Sequence, residues 1–345
     1  PPQSPVGPPE TDGRAGGAAE AAAGAAGAAM EALSIDALPG PATGGGDSDT
    51  LVVADFLKEL SASMELPVAV AAIRALVAVI QRSGANTMMG LEKELLVASG
   101  ELQRFQSTSI ALRAACELFM CYVTRTSALD SQNFEGVKAH LIDRGMKFAD
   151  TALVARTKIA QQGGRFLRDG HVVLIHGYSR VVIHLLQRAA AQGKRFRVLV
   201  TEAAPGKPGL QCLAALEKYD IECQLCMDSS VARLMEGVDL VLVGAEAIVE
   251  SGGIINKVGT YQVALVAHAL GKPCYVAAES YKFARLYPVN QRDLPEETEE
   301  VKFGDLRITT PSRDYTPPEL LGLLFTDLGV LTPAAVSDEL IKLYN

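Results

Sequence analysis

Short apolar runs alternate with amphipathic stretches over the second half of the chain, after Asp169-Gly170. Repeated strand–helix units of this kind require parallel strands joined by right-handed crossovers. The pattern therefore predicts a Rossmann-like, doubly wound parallel sheet, in which runs rich in Val, Ile and Leu form strands buried on both faces. The predicted strands cover residues 172–175, 196–200, 221–226, 238–243 and 273–278.

Helical periodicity dominates the segment before that alternation. Apolar side chains recur every three or four residues, as on one face of a helix, at Val70, Ile73, Leu76, Val77 and Ile80. Further helices are predicted at 134–148 and at 151–162, the second ending at Gly163-Gly164. The sequence thus predicts an α/β protein with an amino-terminal helical domain at 51–168 and a Rossmann-like domain at 169–345.

The first fifty residues have a different composition from the rest. They are rich in Pro, Gly and Ala and offer little that could form a core, so residues 1–50 are expected to be a disordered low-complexity extension. A single arginine among several acidic residues argues against a transit peptide. Met30 is a candidate for a later start of translation.

Bulk composition limits the classes of function. The 345 residues suffice for about two domains, and the 48% hydrophobic content, with no Trp, predicts aliphatic cores. A formal net charge of −8 argues against non-specific nucleic-acid binding. No uninterrupted apolar span is long enough to cross a membrane. The pair Cys223 and Cys226 has metal-site spacing, but in a predicted strand ordinary core thiols are expected instead.

Polar residues cluster where two of the predicted strands end. Ligands of open α/β sheets bind at the carboxyl edge of the strands. The candidate ligand residues at that edge are His176, Gly177, Tyr178, Ser179 and Arg180 after the first strand, and Glu246 after the fourth. None of them is an obvious nucleophile, and no catalytic residue is predicted.

A glycine turn and a lysine follow the fourth strand and extend this candidate site. The backbone amides of Ser251-Gly252-Gly253 are expected to approach an anion, and Asn256 and Lys257 precede a helix that opens near Gly259-Thr260. A helix amino end beside bare amides and a lysine predicts a phosphate site. The alternative is structural, with His176 and Asn256 as satisfied polar groups that organise loops at the sheet edge.

Dinucleotide and P-loop nucleotide binding are not predicted, because neither G-x-G-x-x-G after the first strand nor G-x-x-x-x-G-K-[ST] occurs. No cofactor or metal is expected, and a sugar phosphate or nucleotide monophosphate is the ligand that such a pocket would take. Towards the carboxyl end, the acidic run within 291–314 is interpreted as an exposed loop. A final helix is expected to begin at Thr332-Pro333 and to bury Val336, Leu340 and Ile341.

Four passages resemble a known family, the subunits of eukaryotic translation initiation factor 2B. They are Val70-Ala-Ala-Ile-Arg74, Ile175-His-Gly-Tyr-Ser-Arg-Val-Val182, and the stretches 243–260 and 324–344. The resemblance covers the chain from about Leu51 to its end. The last passage is similar to the alpha type of subunit, whereas the others are shared with the beta and delta subunits and with sugar-phosphate isomerases.

That resemblance implies a regulatory subunit rather than an enzyme. It implies a cytosolic homodimer that joins beta and delta subunits in the guanine nucleotide exchange factor for translation initiation factor 2. It also implies that exchange slows when the substrate's alpha subunit is phosphorylated. Cations that suit a phosphorylated partner occur in the helical domain, and the sequence does not select among them: Arg74, Arg82, Arg104, Arg113, Arg156, Lys158, Arg165 and Arg168.

The alternative is a stand-alone sugar-phosphate isomerase of the ribose-1,5-bisphosphate or methylthioribose-1-phosphate type. The resemblance implies that such enzymes move protons with a cysteine and an aspartate, at positions held here by Gly177 and Glu246. Glu202 stands where they have an arginine, and its charge would repel a phosphate. Loss of one acid–base group lowers the reaction rate roughly 10²–10⁴-fold. We therefore expect no isomerase activity.

Overall fold

The computed structural model describes residues 51–62, 66–107, 109–129, 134–294, 298–303 and 306–344. The expected disorder of residues 1–50 and the alternative start at Met30 lie outside these residues. The described residues belong to one compact unit. The proposed division at residue 168 stays a prediction.

Five helices open the described chain, which confirms the predicted helical region. They are α1 (Leu51–Ala62), α2 (Val68–Arg82), α3 (Met88–Phe105), α4 (Ile110–Leu129) and α5 (Phe134–Gly163). Thr87 caps α3 by accepting a hydrogen bond from the amide of Gly90. The predicted apolar stripe of α2 is buried and packs with Phe56, Leu91, Leu112 and Leu141 in an aliphatic core.

Helix α5 corrects the prediction of two helices at 134–148 and 151–162. It runs unbroken for 30 residues, because Ala149-Asp150-Thr151 contains neither Gly nor Pro to end it. Its first half contributes Val137 and Leu141 to the helical core, and its last turns contribute Ile159 to the core beneath the sheet. One helix therefore belongs to both cores.

The main sheet has seven strands in the order β13-β12-β7-β4-β1-β2-β3. All neighbours pair in parallel except β12 and β13. This arrangement confirms the predicted doubly wound parallel sheet. Its strands are β1 (Val172–Ile175), β2 (Arg197–Thr201), β3 (Glu222–Cys226), β4 (Leu240–Val243), β7 (Cys274–Ala277), β12 (Leu323–Phe325) and β13 (Val330–Leu331).

Helices cover both faces of this sheet and bury its Val- and Leu-rich strands between two apolar clusters. They are α6 (Arg180–Ala191), α7 (Pro208–Glu217), α8 (Val231–Leu234), α9 (Thr260–Ala269) and α10 (Val336–Tyr344). Val336 and Leu340 of α10 are buried as expected, but Ile341 is 54% exposed. The prediction for Ile341 is wrong because it lies one position, about 100° of helix rotation, past Leu340.

A four-stranded sheet is formed by segments for which no strand was predicted. Its order is β11-β6-β5-β8, with β5 (Ala247–Val249), β6 (Ile254–Lys257), β8 (Phe283–Ala284) and β11 (Arg313–Thr316). The pair β5–β6 is antiparallel, and β11 pairs antiparallel with β6. The strands were missed because each is only two to four residues long.

The acidic segment within 291–314 is not a loop throughout. Strands β9 (Thr298–Phe303) and β10 (Leu306–Pro311) form an antiparallel hairpin, termed here the acidic hairpin, and β11 follows it. The expectation of an exposed loop is wrong for these residues, because β-branched threonines provide cross-strand partners for Glu299 and Glu300, and Val301 pairs with Ile308. Among the described residues, this hairpin is a two-stranded sheet of its own.

Membrane-spanning helices and clusters of metal-ligating side chains are both absent from the described residues. Over the described parts of the chain, no helix combines the length and apolarity needed to span a bilayer. No group of three or more His, Cys, Asp or Glu side chains there is placed to hold a metal ion. Burial raises the pKa of Cys223 to about 12 and that of Cys226 to about 11, so both thiols are protonated at neutral pH.

Candidate functional site

The candidate site lies at the carboxyl edge of the main sheet, where strand order reverses between β1 and β4. The loops after these strands touch, because a β-carbon on Gly244 would overlap the hydroxyl of Ser179. Ser179 in turn caps α6, its oxygen accepting a hydrogen bond from the amide of Val182. The structure thus brings the loops that follow β1 and β4 into contact.

His176 joins three segments of this edge. It is 3% exposed, and its Nε2 lies 2.9 Å from the carbonyl of Val258, while Nδ1 lies 2.7 Å from the hydroxyl of Thr201. A carbonyl only accepts, so Nε2 carries the hydrogen and Nδ1 accepts from Thr201 when the ring is neutral. Burial lowers the pKa of His176, which favours that neutral ring. This bonding is that of a cross-link between loops.

Gly177 has a positive φ of 73° and lies beside Lys257, whose Cβ would be 3.6 Å from a β-carbon at that position. A left-handed conformation suits glycine far better than cysteine. Tyr178 and Arg180, which follow Gly177, lie in different surroundings. Tyr178 is 44% exposed, and a guanidinium nitrogen of Arg180 lies 3.5 Å from the carbonyl of Leu66 in the helical region.

Lys257 and the neighbouring Arg313 are each paired with a carboxylate. Lys257 Nζ lies 2.5 Å from Glu299 of the acidic hairpin. Glu246 forms an ion pair with Arg313, which is also the cross-strand neighbour of Lys257. The predicted lysine and glutamate therefore lie at one edge, but each has a partner within the chain.

Ser251-Gly252-Gly253 is bonded within the chain, and its role as an anion-binding loop stays a prediction. It forms the turn between β5 and β6, where Gly252 donates to the carbonyl of Val249 and Gly253 donates to Ser251 Oγ. A side chain on Gly252, whose φ is 84°, would overlap the carbonyl of Pro333. Lys257 is four residues further along β6, about 13 Å away at the usual rise per residue.

The predicted opening of α9 at Gly259-Thr260 is confirmed, but a carboxylate occupies its amino end. Asp314 Oδ2 accepts hydrogen bonds from the amides of Gly259 at 2.7 Å and Tyr261 at 3.0 Å. Burial raises the pKa of Asp314 to about 6, although these two amides favour the charged form. Asn256 donates to the hydroxyl of Thr260 at 3.0 Å. The bonding of Asn256 matches the structural alternative.

A buried ion network follows strand β7 in the chain and connects the sheet with the helical region. Glu279 is 1% exposed and contacts Arg156 of α5 at 3.3 Å and Lys282 at 3.0 Å. Burial alone would raise the pKa of Glu279, but Lys282 and Arg156 together lower it to about 2. Lys282 also donates to the carbonyl of Ala245, next to Glu246.

Sequence reasoning missed several residues of this edge. Glu299 was assigned to a solvated run, and Arg313, Asp314 and Thr201 carried no local signal. The positions of Arg313 and Asp314 follow from strand pairing, since β11 is brought beside β6 only by the second sheet. Glu202, which was expected to oppose a phosphate, does follow β2, where its amide donates to the carbonyl of Cys226.

Comparisons with known proteins agree with this architecture. The family model described as "Initiation factor 2 subunit family" matches residues 62–333. The chain is 46% identical to translation initiation factor eIF2B subunit alpha of Dictyostelium discoideum, over 88% of this chain and 99% of that one. It is also 30% identical to the ribose 1,5-bisphosphate isomerase of Archaeoglobus fulgidus, over 70% of this chain and 77% of the relative.

Two solved structures share the fold. One is the Pyrococcus horikoshii translation initiation factor eIF-2B, with a TM-score of 0.65 and 24% identity over 81% of this chain and 97% of that one. The other belongs to the tetrameric eIF2B-beta2-delta2 complex from C. thermophilum, with a TM-score of 0.71 and 19% identity over 86% and 96% of the two chains. With a family model that covers most of its length, the chain is a member of the initiation factor 2 subunit family.

Proposed function

We propose that this chain is an alpha-type regulatory subunit of the cytosolic factor 2B complex, the guanine nucleotide exchange factor for translation initiation factor 2. The observation that carries the proposal is the 46% identity to an eIF2B subunit alpha, which extends over 99% of that relative. In this role the chain pairs with a second copy, contacts beta and delta subunits, and slows exchange when the alpha subunit of the substrate is phosphorylated.

The geometry of the candidate site supports a role without catalysis. Aldose–ketose isomerisation needs two groups that exchange protons on opposite sides of a carbon atom. Gly177 offers no such group, and Glu246 is engaged by Arg313. The second candidate function, a sugar-phosphate isomerase, is favoured by the similarity to ribose 1,5-bisphosphate isomerases. A coupled assay on the purified chain distinguishes the two, and turnover of ribose 1,5-bisphosphate at an enzymatic rate would overturn our proposal.

Ion pairs within the chain reduce the set of cations that remain for a phosphorylated partner. Arg74 is paired with Glu59 at 3.0 Å, Arg82 with Asp55 at 2.5 Å, and Arg156 with Glu279. These three arginines of the predicted set stabilise the chain itself. Breaking such pairs would be needed before they could contact another protein.

A cationic cavity supports recognition of a phosphorylated segment. It has a volume of about 330 Å³ and lies between α4, α5, the loop at Ser280 and the carboxyl-terminal residues. Arg125 and Arg144 line it together with Asp327 and apolar side chains such as Phe119 and Leu343, while Lys147 in the same lining is paired with Asp143 at 2.7 Å. The guanidinium of Arg144 also lies 5.8 Å from the ring centre of Tyr122. Arginines beside apolar side chains can bind a phosphorylated side chain while the apolar surface contacts its apolar neighbours.

The test is a binding experiment on the assembled complex. Phosphorylated and unphosphorylated alpha subunits of factor 2 are titrated against complexes that contain wild type, Arg144→Glu or Arg233→Glu. Arg233 is 86% exposed and does not line the cavity, which makes it a matched control. We expect Arg144→Glu to reduce the preference for the phosphorylated form about tenfold, the loss of one charge-assisted contact. An unchanged preference would refute the assignment of the cavity.

The regulatory role has its own readout, the rate of guanine nucleotide release from factor 2. Nucleotide release should slow when phosphorylated substrate is added to complexes that contain this chain. It should not slow with complexes that lack this chain. Equal sensitivity of both preparations would contradict the proposed function, whatever the cavity variants show.

A further inference from the structure

A second cavity, of about 1010 Å³, lies between helix α9, strand β11 and the turn at Asn290–Asp293. We call it the Asp314 cavity after the carboxylate in its lining. Neighbouring residues of a strand face opposite sides. Arg313 therefore turns to Glu246 at the candidate edge, whereas Asp314 turns to the amides that open α9. The Asp314 cavity is thus a separate place in the fold, on the other face of β11.

Asp314 brings an unbonded carboxylate oxygen to this cavity. The residue is 8% exposed, and its Oδ2 accepts hydrogen bonds from the amides of Gly259 and Tyr261. Its Oδ1 is buried and has no hydrogen-bond partner among the described residues. A buried acceptor that lacks a partner is costly, and most of all when it carries charge. A charged N–H donor on a ligand would therefore gain a strong contact with Asp314 Oδ1.

A guanidinium lies in the lining of the same cavity. Arg292 is exposed and belongs to the turn at Asn290–Asp293. The side chain of Asn290 accepts from the amide of Arg292 at 2.9 Å, and Gln291 bonds both the amide and the carbonyl of Tyr315 on β11. The turn is thus tied to the strand that carries Asp314. Guanidinium groups bind carboxylates with two parallel hydrogen bonds, so Arg292 suits an acid group on a ligand.

Part of the lining is apolar. Leu265 and Val266 of α9 contribute to it, together with Leu294, and the side chain of Leu265 is 42% exposed. Apolar walls with a few polar groups that fix orientation are typical of small-molecule sites. The Asp314 cavity therefore combines an unbonded anion, a cation and an aliphatic surface.

We propose that the Asp314 cavity binds a small zwitterion of the α-amino acid type with an aliphatic side chain. Its ammonium group donates to Asp314 Oδ1, its carboxylate pairs with Arg292, and its side chain packs on Leu265 and Leu294. An ammonium group supplies three donors and no acceptor, which is what Oδ1 lacks. A ligand with negative charge alone is disfavoured, because Asp314 repels it. The proposal does not rest on the regulatory role proposed above.

Three ligands of similar shape separate the two charges in a calorimetric titration of the full chain at pH 7.5. They are L-leucine, isoamylamine, which lacks the carboxylate, and 4-methylpentanoate, which lacks the ammonium group. We expect isoamylamine to bind about tenfold more weakly than leucine, the loss of one charge-assisted contact. We expect 4-methylpentanoate to bind about a hundredfold more weakly, because it leaves Asp314 Oδ1 unbonded and adds a like charge.

Variants of the chain assign each contact. Arg292→Gln should weaken leucine binding about tenfold and leave isoamylamine binding unchanged, a split that a merely structural role of Arg292 would not produce. The matched control is Arg307→Gln, because Arg307 is exposed on β10 and does not line the cavity. It should bind both ligands as wild type does. Asp314→Asn should weaken both about a hundredfold.

The ligand series on wild type tests the ammonium contact even if Asp314→Asn fails to fold. An absence of leucine binding to wild type overturns the proposal, and so does equal affinity for leucine and 4-methylpentanoate. Weaker isoamylamine binding to Arg292→Gln, or unchanged leucine binding to a folded Asp314→Asn, overturns it as well. No exchange reaction enters these measurements, so a failure here is distinct from a failure of the proposed regulatory function.

Discussion

Glu279 offers the sharpest test of how the helical region is held to the sheet. The substitution Glu279→Gln keeps the shape of the side chain but removes its charge. It leaves Arg156 and Lys282, which are 15% and 19% exposed, without their common counter-charge. Removing one member of a buried ion network is strongly destabilising, because the remaining charges stay desolvated. We therefore expect a large loss of stability at neutral pH.

The magnitude follows from the pKa of the carboxyl group. It falls from an ordinary value of 4.5 to about 2, and the difference of about 2.5 pH units corresponds to about 3 kcal/mol of stabilisation by the charged form. Because the pKa is lowered on folding, this stabilisation is fully present above about pH 4.5. It is lost as the pH falls from there towards 2. Glu279→Gln should lower the free energy of unfolding by about 3 kcal/mol at pH 7.

Urea unfolding measured at pH 7, 5, 4 and 3 checks both the size and the sign. The difference between wild type and Glu279→Gln should shrink as the pH falls below 4.5. The matched control is Glu222→Gln, whose partner Arg197 is 3.8 Å away and whose side chain is 74% exposed. That control should change stability by less than about 0.5 kcal/mol. A loss below about 1 kcal/mol at pH 7, or a loss that does not vary with pH, would refute the reasoning.

Two further outcomes can be measured with the same unfolding assay. Gly252→Ala should lower the free energy of unfolding by about 3 kcal/mol, because the new methyl group meets the carbonyl of Pro333 at a positive φ. The control Gly271→Ala, at a φ of 64° with open space around it, should lower it by only about 1 kcal/mol. Equal losses would contradict this explanation. Relative to Asp314→Asn, wild type should lose stability as the pH rises from about 4 to 6, because the raised pKa of Asp314 makes its ionisation unfavourable in the folded chain. The expected loss is about 3 kcal/mol, and parallel pH profiles of the two proteins would rule it out.

Local patterns predict the main architecture well. Runs such as Val172–Ile175 and the stretch ending at Val243 are strands because continuous β-branched and leucine side chains suit a sheet covered on both faces. Ser179 and Gly259 mark the starts of α6 and α9 for equally local reasons. Where the local signal is weak, the prediction fails, as at Ala149-Asp150-Thr151 within α5.

The candidate site is less accessible to sequence reasoning. His176 and Gly177 could be placed at the carboxyl edge of β1, since the strand that precedes them is unambiguous. The glycine turn and Lys257 were predicted to belong to one site, but they lie at opposite ends of β6, and nothing in residues 251–257 reveals that strand. Glu299 was interpreted as solvated, because its partner Lys257 is 42 residues away in the sequence.

The sequence by itself determined five strands of the main sheet, the helices that alternate with them, and the absence of a thiol at position 177. Those features depend on side chains within a few residues of each other, so they can be read locally. Only the tertiary structure decided which charges meet: Lys257 with Glu299, Glu246 with Arg313, and Glu279 with Arg156. The physical reason is that Coulomb attraction and desolvation depend on distance in space, and strand pairing between remote segments sets that distance.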